Sequence, residues 1–74
     1  FEFSARLEID YLIRKYKFDL PQDENYETLG GLIFHLTGEI PKKGKVLSVN
    51  DLELKVVSVL SNKIEKVAVK KLSD

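Results

Sequence analysis

The stretch YETLGGLIFHLTGEIPKKG, residues 26–44, decides the fold because it combines a helical stripe with clear stop signals. Its apolar side chains recur at the spacing of one helix face: Leu29, Leu32, Ile33 and Leu36. Thr28 is the expected N-cap, with Asn25 as the alternative, and Gly38 stands where a left-handed C-cap belongs. We therefore predict a short amphipathic helix, followed by a turn over residues 40–44.

Before this stretch, the spacing of the apolar residues changes once, from that of a strand to that of a helix. Apolar residues alternate with polar ones over residues 1–7, which predicts a half-buried strand. A first helix is then predicted by apolar residues at the spacing of one face, namely Ile9, Leu12, Ile13 and Tyr16. We predict a loop over residues 20–25, because Leu20 precedes Pro21 and the residues after it are polar. Phe18 and Leu20 are expected to pack against the core.

The residues after the stretch predict three strands, 45–49, 52–60 and 64–72, joined by short polar connections. The fold class is therefore α+β: two helices packed on one face of a mainly antiparallel sheet of about four strands, in the order β-α-α-β-β-β. Residues 1–74 are expected to form a single domain. The core is expected to contain Leu12, Ile13, Leu29, Leu32, Ile33, Leu36, Val56 and Val67.

Composition limits the function classes. The chain has 74 residues and no cysteine, which excludes disulfides, thiolate catalysis and cysteine zinc sites. Residues 42–74 carry eight lysines but no arginine and no aromatic residue, so we expect no nucleic-acid binding. No apolar run is long enough for direct membrane insertion. Because the chain opens on Phe1 without a methionine, we expect it to be a fragment of a longer chain.

The candidate cofactor-binding residues are Thr28, Gly30 and Gly31, at the start of the second helix. Free N–H groups at a helix start attract anions, although the dinucleotide and Walker fingerprints are missing. The alternative is that the glycines allow close approach of another backbone, which would offset their low helix propensity.

The remaining polar residues predict neither catalysis nor a metal site. His35 is the only histidine, and its phase places it beside the apolar stripe, so we expect a surface residue. Asp23, Glu24 and Glu27 lie where acidic residues favour a helix start, without the spacing of a calcium loop. No serine stands at a telling distance from a base, so we expect no enzymatic activity.

Residues 26–33, followed by Gly38-Glu39-Ile40-Pro41 and Gly44, resemble the signature of the CorC/HlyC transporter-associated domain. Leu20-Pro21 and residues 63–67 also match family positions. In that family the domain stands at the C-terminus of proteins with a membrane region and a pair of CBS domains, described as magnesium/cobalt efflux proteins or hemolysins. Residues 3–10 are more similar to the branch linked to gliding motility.

The resemblance implies a non-enzymatic accessory or regulatory domain that modulates ion transport at the cytoplasmic face of the bacterial inner membrane. Its implied partners are the CBS and membrane domains of the same polypeptide. The alternative is a module that completes a FAD site with another domain, because the family fold resembles part of flavin oxidoreductases; Tyr26 and His35 would then flank the adenine. We expect no cofactor on the isolated domain. A homodimer through the first or the final strand is also expected.

Overall fold

Six elements make up the part of the chain that the structure, a computed structural model, describes, which is residues 1–72. They are β1 (Glu2–Ser4), α1 (Ile9–Tyr16), α2 (Leu29–Thr37), β2 (Val46–Val49), β3 (Leu52–Leu60) and β4 (Lys63–Lys71). The predicted α+β class and the order β-α-α-β-β-β are confirmed.

The four strands form one antiparallel sheet in the spatial order β1-β4-β3-β2. The long hairpin of β3 and β4 turns at Ser61 and Asn62, which both have positive φ, the geometry of a type I′ turn that matches strand twist. β1 pairs with β4 through the register Phe3 opposite Val67. The first and the fourth strand therefore lie side by side in the sheet.

Both helices cover the same face of the sheet. Phe3, Val67 and Val56 lie side by side on three neighbouring strands, and all three are buried in the cluster that holds the helix residues. The buried helix residues are Ile9, Leu12, Leu29, Leu32 and Ile33. On the opposite face Lys55 and Lys66 are exposed, as expected for an antiparallel sheet with one wet side.

Local signals end each helix. Thr28 caps α2, its hydroxyl accepting a hydrogen bond from the Gly31 N–H at 3.1 Å, so Thr28 rather than Asn25 is the cap. Gly38 adopts the left-handed conformation at φ 77°, as predicted. The end of α1 is strained, because Lys17 adopts a left-handed conformation, with φ 61° and ψ 30°, that favours glycine. Phe18 and Leu20 are buried just beyond it, as predicted.

Two core predictions need correction. Leu36 has the phase of a core residue but is 49% exposed. It lies in the last turn of α2, where its surroundings are Ile40, Pro41 and Leu47 of the connection and edge strand rather than the middle of the sheet. Ile13 is only partly buried, at the margin of the core. The other six predicted core residues are buried.

Two strand predictions also need correction. β1 is shorter than the predicted 1–7, because the chain turns at Ala5, whose carbonyl accepts from the Gly30 N–H. The final strand is not an edge, because β4 lies between β1 and β3 and is paired on both sides. The edges of the sheet are β1, as predicted, and β2. Strand addition at the final strand is therefore wrong, whereas pairing through β1 stays a prediction.

Candidate functional site

The start of α2 brings together the three candidate residues Thr28, Gly30 and Gly31. Each of the first three backbone N–H groups of the helix donates a hydrogen bond within the protein: Leu29 to the Leu7 carbonyl at 3.0 Å, Gly30 to the Ala5 carbonyl at 2.9 Å, and Gly31 to Thr28 Oγ1 at 3.1 Å. An anion cradle needs unengaged donors at a helix start. The geometry therefore favours packing at this position, and a ligand contact stays a prediction.

The two glycines let the β1–α1 connection and the loop before α2 approach the helix closely. A Cβ placed on Gly30 would lie 3.0 Å from the Ala5 Cβ and 3.2 Å from the Ala5 carbonyl oxygen. A Cβ placed on Gly31 would lie 3.1 Å from the Tyr26 Cβ. All three distances are shorter than ordinary van der Waals contact. At Gly30 another backbone does approach closely, as the alternative explanation of the glycine pair requires, and it is the backbone of Ala5.

Tyr26 and His35 lie next to the glycines, with their ring centroids 5.3 Å apart. That separation is direct ring contact, whereas a ring inserted between them would need roughly twice a single stacking distance. The Tyr26 hydroxyl donates to the Pro21 carbonyl at 2.8 Å and so ties down the loop before α2. Loss of hydration at this partly buried position, and secondly the Asp23 carboxylate, raise the pKa of Tyr26.

Phe34 divides two open hollows on the outer side of α2. One, of about 670 Å³, is lined in part by Tyr26, Gly31 and His35; the other, of about 490 Å³, is lined in part by Gly30 and Ile64. Phe34 lines both and is 48% exposed. We call this region, defined by Tyr26, Gly30, Gly31, Phe34 and His35, the α2 surface.

Sequence reasoning did not single out Phe34. The signal was present, because Phe34 is a large apolar residue outside the 29/32/33/36 stripe, and it follows a glycine pair that leaves the helix surface flat. His35 is exposed, as predicted. Because aromatic residues are enriched among the anchor residues of interfaces, Phe34 is a candidate docking contact.

Four acidic residues near the helix starts lie around one hollow. Glu8, Asp10, Asp23 and Glu27 line a hollow of about 330 Å³. Asp23 Oδ1 accepts hydrogen bonds from the Asn25 backbone and side chain at 2.9 and 2.8 Å. Within residues 1–72, no three histidine, cysteine or acidic side chains are placed to hold a metal ion.

The helices are short. α1 has eight residues and α2 has nine. Neither helix of the described part of the chain is long and apolar enough to cross a membrane.

Known proteins match this chain over nearly its whole length. The family described as CorC_HlyC, transporter associated domain, matches residues 1–73. The transporter associated domain CorC_HlyC from Nitrosomonas europaea is 31% identical, with a TM-score of 0.85 over 95% of this chain and 84% of that one. A region associated with a candidate Mg²⁺ and Co²⁺ transporter (CorC) from Neisseria meningitidis MC58 is 18% identical, with a TM-score of 0.85 over 95% of this chain and 85% of that one, and shows the shared fold.

A curated relative is much longer than this chain. The UPF0053 protein YegH of Escherichia coli (strain K12) is 27% identical over 66 residues, which are 89% of this chain but only 12% of YegH. Domains of this kind are thus small parts of larger proteins and are typically non-catalytic. The residues quoted for the resemblance, from Tyr26 to Gly44, fall inside the matched region. The chain belongs to the CorC_HlyC transporter associated domain family.

Proposed function

We propose that this chain is a non-enzymatic docking domain of a larger membrane protein with CBS domains, and that it modulates the transport of a divalent cation such as Mg²⁺ or Co²⁺. In this proposal residues 1–74 form one domain on the cytoplasmic face of the bacterial inner membrane. The observation that carries the proposal is the family match over residues 1–73. The link of a similarly folded region to a candidate Mg²⁺ and Co²⁺ transporter supports the choice of ion.

The α2 surface is the proposed contact with the rest of the polypeptide. Its backbone donors are used inside the protein, so it offers apolar and aromatic contact rather than an anion cradle. Phe34 is the natural anchor because it stands half exposed between two hollows. The occupant would be another domain of the same chain, since the matched region is 12% of a relative such as YegH. Aromatic anchors commonly dominate such interfaces.

We expect the exposed acidic loop beside the α2 surface to orient the partner as it binds. Glu24 and Glu27 line the same hollow as Tyr26 and His35. Charges at the rim of an interface steer association and select the partner more than they add affinity. We therefore expect the partner surface to carry an apolar pocket with basic residues beside it.

The test is a titration of the isolated domain with the remainder of its parent protein, purified without this domain. We expect saturable binding, with amide shifts in nuclear magnetic resonance spectra centred on Phe34. Phe34→Asp should weaken binding by about tenfold or more, because a buried aromatic anchor is replaced by a charge. Tyr11→Asp is the matched control, an equally charged change on α1 at a residue that is 37% exposed. Equal weakening by both variants, or shifts confined to another face, would contradict the proposal.

A further inference from the structure

The edge strand β2 has unpaired hydrogen-bonding groups on its outer side. The Lys45 carbonyl accepts from the Val56 N–H at 2.9 Å, so Lys45 faces β3. Backbone groups alternate in direction along a strand. The N–H and C=O groups of Leu47 therefore also face β3, whereas the N–H and C=O groups of Val46 and Ser48 point away from the sheet. No strand of the described residues 1–72 lies on that side. β2 can therefore accept one further strand.

A hollow of about 600 Å³, partly apolar, adjoins this edge on the helix side of the sheet. Leu36, Ile40 and Leu47 form its apolar lining. Leu36 is 49% and Ile40 is 40% exposed, although Leu36 has the phase of a core residue. Leu47 packs against the core and so places the hollow on the same side as the helices. A strand added to β2 would direct every second side chain into this hollow.

The rim of the hollow is basic. Lys42, Lys43 and Lys45 line it, against the single acidic residue Glu39. All three lysines are exposed, and none has an ion pair among the described residues, where the one pair joins Arg14 to Asp10. Lysines on an edge strand discourage pairing with a second copy of the same strand. The same charges attract a strand of opposite charge.

We propose that β2 and this hollow bind an acidic peptide segment in extended conformation. The segment pairs its backbone with Val46 and Ser48, places an apolar side chain between Leu36 and Leu47, and brings carboxylates to the lysines. A lipid headgroup or a nucleic acid could use the lysines but has no backbone amides for the strand edge. The rim also lacks the arginine and aromatic residues that nucleic-acid binding favours.

This inference goes beyond the proposed function, because it assigns a partner chemistry to a surface whose binding residues differ from those of the α2 surface. Ile40 lies between the two regions and lines a hollow of each, so it is left unchanged in the test. Loss of one interaction with retention of the other separates the two proposals.

The experiment is a fluorescence anisotropy titration of the chain with a labelled peptide in which every second residue is leucine or glutamate in turn and the residues between them are threonine, so that the apolar and the acidic side chains share the face that meets the hollow. We expect a dissociation constant in the micromolar range that rises several-fold between about 50 and 300 mM NaCl, because exposed charges are screened by salt. The amide signals of Val46 and Ser48 should shift on binding. A peptide of leucine and lysine should not bind, and a peptide methylated at alternate backbone nitrogens should bind at least about tenfold more weakly, since it loses strand donors.

Two matched variants locate the site. The triple variant Lys42→Glu, Lys43→Glu, Lys45→Glu should lose binding by about tenfold or more, because attraction becomes repulsion. The control is a second triple variant that makes the same charge change on the opposite face of the sheet, Lys55→Glu, Lys66→Glu, Lys70→Glu. This control should leave peptide binding unchanged. Val46→Pro removes an outward donor at the first residue of β2, a position that tolerates proline, and should also weaken binding.

Three results would overturn the inference. They are equal loss in both triple variants, an unaffected methylated peptide, and binding to vesicles of anionic lipid in place of the peptide.

Discussion

The Gly30 N–H donates a 2.9 Å hydrogen bond to the Ala5 carbonyl, and a Cβ on Gly30 would stand only 3.0 Å from the Ala5 Cβ. This contact joins the end of the β1 connection to the first turn of α2. It explains why a glycine is placed inside a helix, where glycine costs about 1 kcal/mol relative to alanine.

Gly30→Ala should therefore destabilise the fold despite its better helix propensity. Ala5 is buried and its carbonyl accepts the hydrogen bond from Gly30, so Ala5 cannot move away from an added Cβ without loss of stability. We expect a net loss of about 1–2 kcal/mol in the free energy of unfolding, measured by urea titration. The double variant Ala5→Gly, Gly30→Ala should recover part of that loss. Lys15→Ala, at an exposed position of α1, is the control and should lie within about 0.5 kcal/mol of wild type. A stabilised Gly30→Ala would contradict the close-packing account.

Lys17→Gly should stabilise the protein. Lys17 holds φ 61° and ψ 30° at the end of α1, a conformation that costs a residue with a side chain about 1 kcal/mol. Relief of that strain should outweigh the greater freedom of glycine in the unfolded chain, for a gain of roughly 0.5 kcal/mol. Lys15→Gly, at an exposed position within α1, should instead cost about 1 kcal/mol. Thermal unfolding of both variants checks the contrast, and a lower midpoint for Lys17→Gly would speak against it.

Tyr26→Phe should cost about 1 kcal/mol at neutral pH, because it removes the hydrogen bond to the Pro21 carbonyl. Burial and Asp23 raise the pKa of Tyr26, so the folded state holds the phenol proton more tightly than the unfolded chain does. The stabilisation from that proton is complete below the unfolded pKa, about 10, and is lost as pH rises through the higher folded value. The stability gap between wild type and Tyr26→Phe should therefore shrink above about pH 10. Urea titrations of both proteins from about pH 7 to above pH 10 measure this difference in the free energy of unfolding. A difference that widens as pH rises would contradict a stabilising role of the Tyr26 proton.

The periodic elements of this fold could be predicted because their signals are local. The stripe of α2 and the residues Thr28 and Gly38 at its ends follow from spacing and backbone preference alone. Strand order could not be obtained in this way, because the pairing of Phe3 with Val67 joins opposite ends of the chain. Leu36 shows the same limit, since helical phase does not report where the covered part of the sheet ends.

That Thr28, Gly30 and Gly31 lie together at the start of α2 could be predicted from the sequence, but their hydrogen-bond partners could not. Thr28, Gly30 and Gly31 do lie together, yet their hydrogen bonds run to Ala5 and to Thr28 itself, and Ala5 belongs to a connection that the sequence places in a strand. Whether a helix start is free for a ligand depends on such long-range partners. Phe34 was passed over because an apolar residue outside a stripe carries no sign of its exposure.

The isolated domain should not retain FAD. The N–H groups at the start of α2 are engaged and Tyr26 already contacts His35, so neither a pyrophosphate cradle nor an adenine slot is preformed. Titration of the protein with FAD, followed by flavin fluorescence, should show no saturation in the micromolar range. Saturable binding that is lost on enlarging Gly31 would instead support the dinucleotide alternative.

Ion flux through the full-length parent protein, reconstituted in liposomes, tests the docking account most directly. The compared proteins are wild type, Phe34→Asp and the control Tyr11→Asp, with Mg²⁺ and Co²⁺ as the transported ions. If the α2 surface couples this domain to the rest of the protein, Phe34→Asp should change the flux several-fold, while Tyr11→Asp should match wild type. Equal flux in all three proteins, with each correctly inserted, would contradict the central claim.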